Sequence, residues 1–276
     1  MVEHFTNKTH IFMYENIELL YKELGSMRKL AKHFSCRISK VSKILKEKGV
    51  DLTQHRGKNR IHFFNESFLL NINDPIAMYW LGFIFADGWV SKGFLGIDLA
   101  EKDKHMLEQF KKDINTSAPI FKRIVKNSKR NAKYNDSINY GIHISSVKLV
   151  KELGELGIIQ NKSLTVKFPQ FALDNKFLNI FVRGYFDGDG GFLFQKGQLC
   201  MHFRGTKEFL TVLKNVFSEK FNLSTNKNLT FDSNIYRLRY NGNNICNKIC
   251  EWMYADIPQT NRYLERKYKL YHANVV

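Results

Sequence analysis

Acidic residues are scarce in this chain. Its 276 residues hold 26 Asp and Glu against 43 Lys and Arg, a formal charge of +17. Such an excess excludes an acidic, self-solvating protein and points to a polyanionic partner, most simply nucleic acid. The alternative, a basic surface kept for solubility, fits less well, because the excess is clustered. Cysteine is scarce too. Cys246 and Cys250 stand four apart on an expected helix, and neither Cys36 nor Cys200 supplies a second pair, so no zinc framework is expected. They read as reduced packing residues of an intracellular protein. Long apolar runs are missing, and the longest, Tyr79 to Ala86, is far short of a membrane span. Met1 to Met13 contains Glu3 and Lys8 and lacks the apolar centre of an export signal, so the chain is expected to stay in the cytoplasm, nucleoid or organelle of its host, or to be phage-encoded. Neither Cys nor Ser stands at the first position and the chain ends Asn274, Val275, Val276, so no intein junction is expected. What remains is 43% apolar with 23 Phe and 12 Tyr, enough for a substantial core in two or three domains.

Residues 1–53 read as a small all-α region. Glu15 to Leu24 forms one expected helix. Ser26 caps a second, with Met27, Leu30, Ala31 and Phe34 on one face. A turn at Ser35 to Arg37 leads to a third, with Ile38, Val41, Ile44 and Leu45 apolar and Gly49 ending it. Two short helices joined by a tight turn are the helix-turn-helix pattern. Eight basic residues and one acid lie between Arg28 and Lys48, and Lys40, Lys43 and Lys46 repeat opposite the apolar face. That helix suits a major groove, with its lysines on phosphates; a small bundle with a solvated basic face is the other reading. Residues 54–73 read as a linker, basic at first and then aromatic at Phe63, Phe64 and Phe68.

The remainder carries one short pattern twice. Trp80 to Gly88 and Val182 to Gly190 are apolar helical runs ending in Asp-Gly, with Asp87 and Asp189 102 residues apart. The interval suits a duplicated domain, here residues 74–168 and 169–276. Asp74-Pro75 starts the first motif helix cleanly. After each Asp-Gly the pattern continues alike. In the first copy strands are expected at Phe94 to Leu99, Pro119 to Val125 and Ile138 to Ser145, with helices at Lys102 to Ile114 and Val147 to Leu156. In the second, strands are expected near Gly191 to Phe194, Leu199 to Arg204, Leu229 to Phe231 and Ile235 to Tyr240, with helices at Thr206 to Phe221 and Asn243 to Tyr254. The fold class is therefore α+β: two pseudo-symmetric αββαββα units with mostly antiparallel sheets, behind a small helical region.

Gly82 and Ala86 are four apart, as are Gly184 and Gly188, a spacing that lets two helix backbones approach closely. Packed together, the helices deliver Asp87 and Asp189 side by side. Two adjacent carboxylates repel and call for a cation. Mg²⁺, or Mn²⁺, suits a site of one or two carboxylates completed by waters and phosphate oxygens, and such a site suits phosphodiester hydrolysis. A single Asp-Gly is an ordinary helix-ending turn; the duplication makes the pair informative.

These paired motifs resemble the LAGLIDADG homing endonuclease family. Gly82, Phe83, Ile84, Ala86, Asp87 and Gly88 fit the first motif, with Phe85 replacing its inner acid. Gly184, Asp187, Asp189 and Gly190 fit the second, with Gly188 in place of alanine. The resemblance covers about Ile72 to Tyr271. It implies a monomer whose two sheets form a saddle on the major groove of a long, asymmetric double-stranded DNA site. It implies that Asp87 and Asp189 ligate the metal, helped by the Ala86 and Gly188 carbonyls, and that both strands are cut across the minor groove to leave short 3′ overhangs. It also implies a lysine beside each acid: Lys162 in Asn161-Lys162-Ser163, and Lys267 in a matching element after the second copy, with Arg266 as a rival. The intervals agree, 75 residues from Asp87 to Lys162 and 78 from Asp189 to Lys267. A lysine there organises water or counters phosphate charge; the plain alternative is a surface lysine. Glu101 and Arg204, each following a first strand pair, are candidates for the metal-water network.

Period-two alternation puts Arg237 and Arg239 on one sheet face, and Lys122 and Lys126 on another. With Arg123 they begin a run, Lys122 to Lys133, of six basic residues and no acid. These residues and Arg204 are the expected DNA contacts, against a solvated basic loop around Asn127 to Asn135. The function expected is site-specific, metal-dependent double-strand cleavage of DNA for intron homing. The alternatives are an RNA maturase bound to intron RNA and a DNA-binding regulator that does not cut.

Overall fold

The computed structural model describes residues 14–21, 23–24, 26–50, 62–126, 136–195, 197–224 and 228–273. Residues 54–61 of the expected linker at 54–73, and the basic loop at 127–135, lie outside the described residues. The chain divides into two compact units, Met1–Ile61 and His62–Val276.

In the first unit, residues 14–21 are helical, followed by α1 (Met27–His33) and α2 (Ile38–Glu47). Ile17, Tyr21, Leu30, Ala31, Val41, Ile44 and Leu45 form its core. Ser26 holds the N-cap position of α1, but its hydroxyl makes no capping hydrogen bond. Ile38, expected on the apolar face, is exposed, because it opens α2 beyond the reach of the core.

The second unit contains both copies. The first runs α3 (Pro75–Asp87), β1 (Gly88–Ser91), β2 (Phe94–Ala100), α4 (Lys104–Asp113), β3 (Ile120–Val125), β4 (Ser137–Ser145) and α5 (Val147–Glu155). The second runs α6 (Leu178–Asp189), β5 (Gly190–Gln195), β6 (Gln198–Gly205), α7 (Lys207–Phe221), β7 (Thr230–Asp232), β8 (Ile235–Asn241) and α8 (Asn243–Tyr254). A last helix, α9 (Glu265–His272), follows. The two antiparallel sheets share one topology, β1-β2-β4-β3 and β5-β6-β8-β7. This is the expected α+β duplication. Only β1 had no counterpart among the expected strands, since four residues directly behind a helix leave no alternation to read.

Helix α3 is apolar on every side, and Ala77 to Phe85 are all buried. A helix without a polar face belongs inside a core, and α3 packs on its own sheet and on α6. Its start is fixed by Asp74, whose carboxylate accepts from the Ile76 and Ala77 amides at 2.7 and 3.0 Å. Close approach of the helices depends on missing β-carbons. One built on Gly82 would run into the Phe181 carbonyl oxygen, and one on Gly184 into that of Tyr79.

One buried polar group braces each half from within. The Trp80 indole donates to Asp113 at 2.7 Å. Arg183, fully buried on α6, makes a two-pronged bond to Asp256 at 2.7 and 2.9 Å and also reaches the Met253 carbonyl and Thr260. A guanidinium is tolerated inside a core only when paired in this way.

Candidate active site at the paired helix ends

Each motif helix runs straight into a strand, so Asp87 and Asp189 sit at a helix-to-strand junction. The glycine after each acid permits this: a β-carbon on Gly88 would fall 2.8 Å from the Ile84 carbonyl oxygen, and one on Gly190 would fall 2.6 Å from that of Phe186. The two ends meet. A β-carbon on Gly188 would collide with that of Ala86 and lie 3.2 Å from the Asp87 carboxyl carbon. The four small residues expected at the helix interface, Gly82, Ala86, Gly184 and Gly188, are thus all at the crossing.

Both acids are half-buried. Burial and the Asp189 charge push Asp87 up to about 7, against the pull of Lys267 and Lys162. Burial also raises Asp189, while Lys162, Lys267 and Arg204 draw it down. Asp87, raised by the Asp189 charge, and Asp189, facing the same two lysines, form one electrostatic unit.

Lys162 and Lys267 lie beneath them, both buried. Lys162, from the turn after Asn161, donates to the Phe85 and Ala86 carbonyls at 2.8 and 2.9 Å. Lys267, on the first turn of α9, donates to those of Phe186, Asp187 and Gly190 at 2.6, 2.7 and 2.6 Å. Burial lowers both ammonium groups, Lys267 to about 8. An ammonium has three protons. Those of Lys267 are all taken by backbone, so it acts on the site through its charge, whereas Lys162 keeps one proton without an acceptor among the described residues. Arg266, the rival to Lys267, instead grips Asp103 at 2.7 and 2.9 Å.

The other candidates separate. Arg204 is near enough to draw down Asp189, but Glu101 is an exposed residue, and the further acid whose charge Asp87 feels is Asp103. Arg237 and Arg239 share the open face of the second sheet, while Leu238 between them and Tyr240 after them are buried. On that face Arg204 and Arg237 both pair with Asp232, and Arg239 bonds Gln195 and Asn241 at 2.8 Å each. In the first sheet Lys122 and Arg123 do not act together. Arg123 is paired with Asn139 in register and lies 3.6 Å from Asp98 on the open face. Lys122 is paired with Tyr140, on the opposite face with Ile120 and Ile142. Adjacent strand residues point to opposite sides, so Lys122 and Arg123 stand on different faces of the first sheet. Lys126 is exposed just past β3. Lys40, Lys43 and Lys46 are all exposed on α2, where Lys43 pairs with Glu47 at 3.9 Å.

Sequence reasoning passed over a cluster on the open face of the first sheet. Trp89 donates to Asp98 at 2.7 Å, and His143 packs edge-on against Trp89 and Phe121, at 4.8 and 4.5 Å between ring centres. Alternation in β2 would have put Asp98 outward, whereas Trp89 lies in the short β1 that leaves no alternation to read. On the second sheet His202, in β6 opposite Arg239, is pushed down to about 4 by burial and the neighbouring arginines, and is neutral at pH 7.

Among the described residues no group of three or more His, Cys, Asp or Glu side chains forms a metal cluster. The donor set is two carboxylates with nearby carbonyls, all hard oxygen, and the Ala86 carbonyl already accepts from Lys162. That set fits a hexahydrate-derived cation keeping most of its water, as Mg²⁺ does. No described helix is long and apolar enough to cross a membrane.

Comparison with known proteins agrees with this geometry. Residues 74–161 match the sequence model of a family described as a LAGLIDADG-like domain. A stretch of 132 residues, 48% of this chain, is 27% identical to the replication factor C small subunit of Methanocaldococcus jannaschii, and it spans 7% of that protein's length. The homing endonuclease I-WcaI, solved bound to its DNA recognition sequence, shares the fold with a TM-score of 0.52 at 18% identity, over 73% of this chain and 86% of that one. The I-LtrWI LAGLIDADG homing endonuclease, bound to target DNA, gives 0.47 at 13% identity over 74% and 90%. With two motif helices, two matching sheets and one chain, the 62–276 unit carries the fold of the LAGLIDADG homing endonucleases in its two-motif form, residues 74–161 being a LAGLIDADG-like domain.

Proposed function

We propose that this chain is a site-specific endonuclease that hydrolyses both strands of a long, asymmetric DNA site in a divalent-metal-dependent reaction, in the service of intron homing. The observation that carries the reading is the meeting of Asp87 and Asp189 at the crossed helix ends, with a buried lysine beneath each. Asp87 and Asp189 would hold Mg²⁺ or Mn²⁺, which when bound activates water and polarises the scissile phosphate. The protein's own residues do the rest. Both lysines oppose the burial that raises the two carboxylates, and a bound divalent cation would hold the pair ionised as ligands. Lys267 fixes the end of α6 through three carbonyls, and Lys162 has a proton to offer a phosphate oxygen or water. Arg204, Arg237 and Arg239, three guanidiniums against the one carboxylate of Asp232, give the second sheet a positive face for the phosphate backbone. The α1–α2 pair, with Lys40, Lys43 and Lys46 exposed, extends the footprint as a helix-turn-helix. The reading is of a monomer acting on DNA inside the cell.

The test is cleavage of a randomised duplex library by the full chain with Mg²⁺, followed by sequencing of the ends. A defined site cut on both strands is expected. Asp87→Ala and Asp189→Ala should each abolish cutting and still bind the selected site. Normal cutting by either variant would refute the shared site. Selective binding to DNA with no cutting in Mg²⁺ or Mn²⁺ would favour a regulator on the same fold.

A further inference from the structure

The two half-sites are built differently, and the difference begins at one buried carboxylate. Asp187 occupies the place that Phe85 holds in the first motif. Phe85 packs against Phe171 and Phe181 and bonds nothing through its side chain. Asp187 is buried, and its Oδ2 accepts from the Tyr79 hydroxyl and from the Leu264 amide, each at 2.8 Å. Leu264 is the residue before α9, and its carbonyl accepts from the Lys267 amide at 2.9 Å. One turn of helix therefore separates the anchored amide from the lysine. The same Asp187 offers its main-chain carbonyl to the Lys267 ammonium. Side chain and main chain of a single residue thus fix both ends of the arm that delivers Lys267.

Nothing comparable holds Lys162. It follows Asn161, whose backbone is left-handed at φ 59°, and it sits in a single turn, Lys162–Leu164, without a side-chain cap. Two carbonyls hold its ammonium, against three for Lys267. The Lys267 arm is also pinned to the first half. Arg262 grips Asp113 with both contacts at 2.6 Å, and Arg266 grips Asp103.

A buried carboxylate costs folding free energy unless its bonds return it. At this position the first motif uses a phenylalanine, so a charge is not needed to pack the helix pair. What the charge adds is the Leu264 anchor. We propose that Asp187 is a positioning residue for Lys267, and that losing it impairs the half-site that Lys267 supports while sparing the Lys162 half-site, so that one DNA strand is cut slowly and the other normally. This rests on the endonuclease reading above.

The experiment uses the full chain, a duplex that the parent cuts, and a different label on each strand. With Asp187→Ala, one strand is expected to slow by about tenfold or more relative to the other, within the roughly hundredfold that an ångström of misplacement can cost. Nicked duplex should accumulate. Lys267→Met should slow the same strand, and the double variant should be no slower on it than Lys267→Met alone. Asp187→Asn keeps an acceptor for the Leu264 amide and should recover the lagging strand at least partway. Hydrogen exchange supplies a readout free of chemistry: in Asp187→Ala the amides at 264–268 should exchange faster, and those at 161–165 should not. Equal slowing of both strands, additive losses, or unchanged exchange at 264–268 would overturn the proposal. A parent that cuts no duplex would instead overturn the endonuclease reading, and the exchange comparison would still decide the anchor.

Discussion

Replacing Asp87 by asparagine is predicted to stabilise this protein, and to do so only in one range of pH. An unfolded aspartate titrates near 3.8, and Asp87 in the folded protein is pushed up to about 7. Holding it ionised above pH 7 therefore costs the folded state about 4 kcal/mol relative to the unfolded chain. The side chain is half-buried, and allowing for solvent screening halves this to about 2 kcal/mol. The sign follows from the raised value. The stability this group contributes is fully present below about pH 3.8, declines as pH rises towards 7, and is lost above. Asp87→Asn has no such titration. At pH 8 in EDTA its 62–276 unit should melt about 4–8 °C above the parent, at about 2–4 °C per kcal/mol for a unit of this size. At pH 5 the gap should shrink to less than half of that. Adding Mg²⁺ at pH 8 should raise the parent and not the variant, because an ion held between two carboxylates stabilises the folded state by mass action. The measurement is thermal unfolding by circular dichroism at both pH values. An equal gap at pH 5 and 8, or a variant no more stable than the parent at pH 8, would refute the claim that the two acids crowd each other.

Gly184→Val drives a branched side chain into the Tyr79 backbone and should cost upward of about 3 kcal/mol in urea unfolding. By contrast, a β-carbon on Gly154 in α5 meets nothing within 4 Å, so Gly154→Ala should add about 0.5–1 kcal/mol in the same assay. Arg183→Met takes the cation from the Asp256 carboxylate, leaving it only the Asn179 and Thr260 donors, and should cost about 3 kcal/mol, read from the same urea curves. Arg239→Ala should weaken DNA binding and reduce the slope of log Kd against log salt by about 1, measured by fluorescence anisotropy.

The legible part of this chain was what repeats or alternates. The duplicated Asp-Gly, the small residues four apart and the matched lysine intervals all encode local or periodic constraints, and the structure brings those residues to one place. Strand β3 was harder. It is an edge strand, exposed at Lys122, Arg123, Ile124 and Val125 in succession, so neither face leaves an apolar imprint to set its parity. The anchor at Asp187 was illegible for a different reason. Its partners Tyr79 and Leu264 lie 108 and 77 residues away, and a hydrogen bond between distant single residues has no period. An acid in an apolar helix beside a catalytic candidate was the only trace of it. The pairs Arg262–Asp113 and Arg266–Asp103, 149 and 163 residues apart, are hidden in the same way.

Those two arginine pairs restrict recombination. The halves of this fold are similar enough to suggest exchanging one for a half from a related protein to obtain a new target. Here the second half projects Arg262 and Arg266 onto acids owned by the first, and Asp113 also receives the Trp80 indole. A foreign first half without acids at those two positions would leave both guanidiniums unmatched and loosen the arm that carries Lys267. A working chimera of this chain must therefore inherit four residues as a set, Asp103, Asp113, Arg262 and Arg266, although none of them touches DNA in the proposed reading.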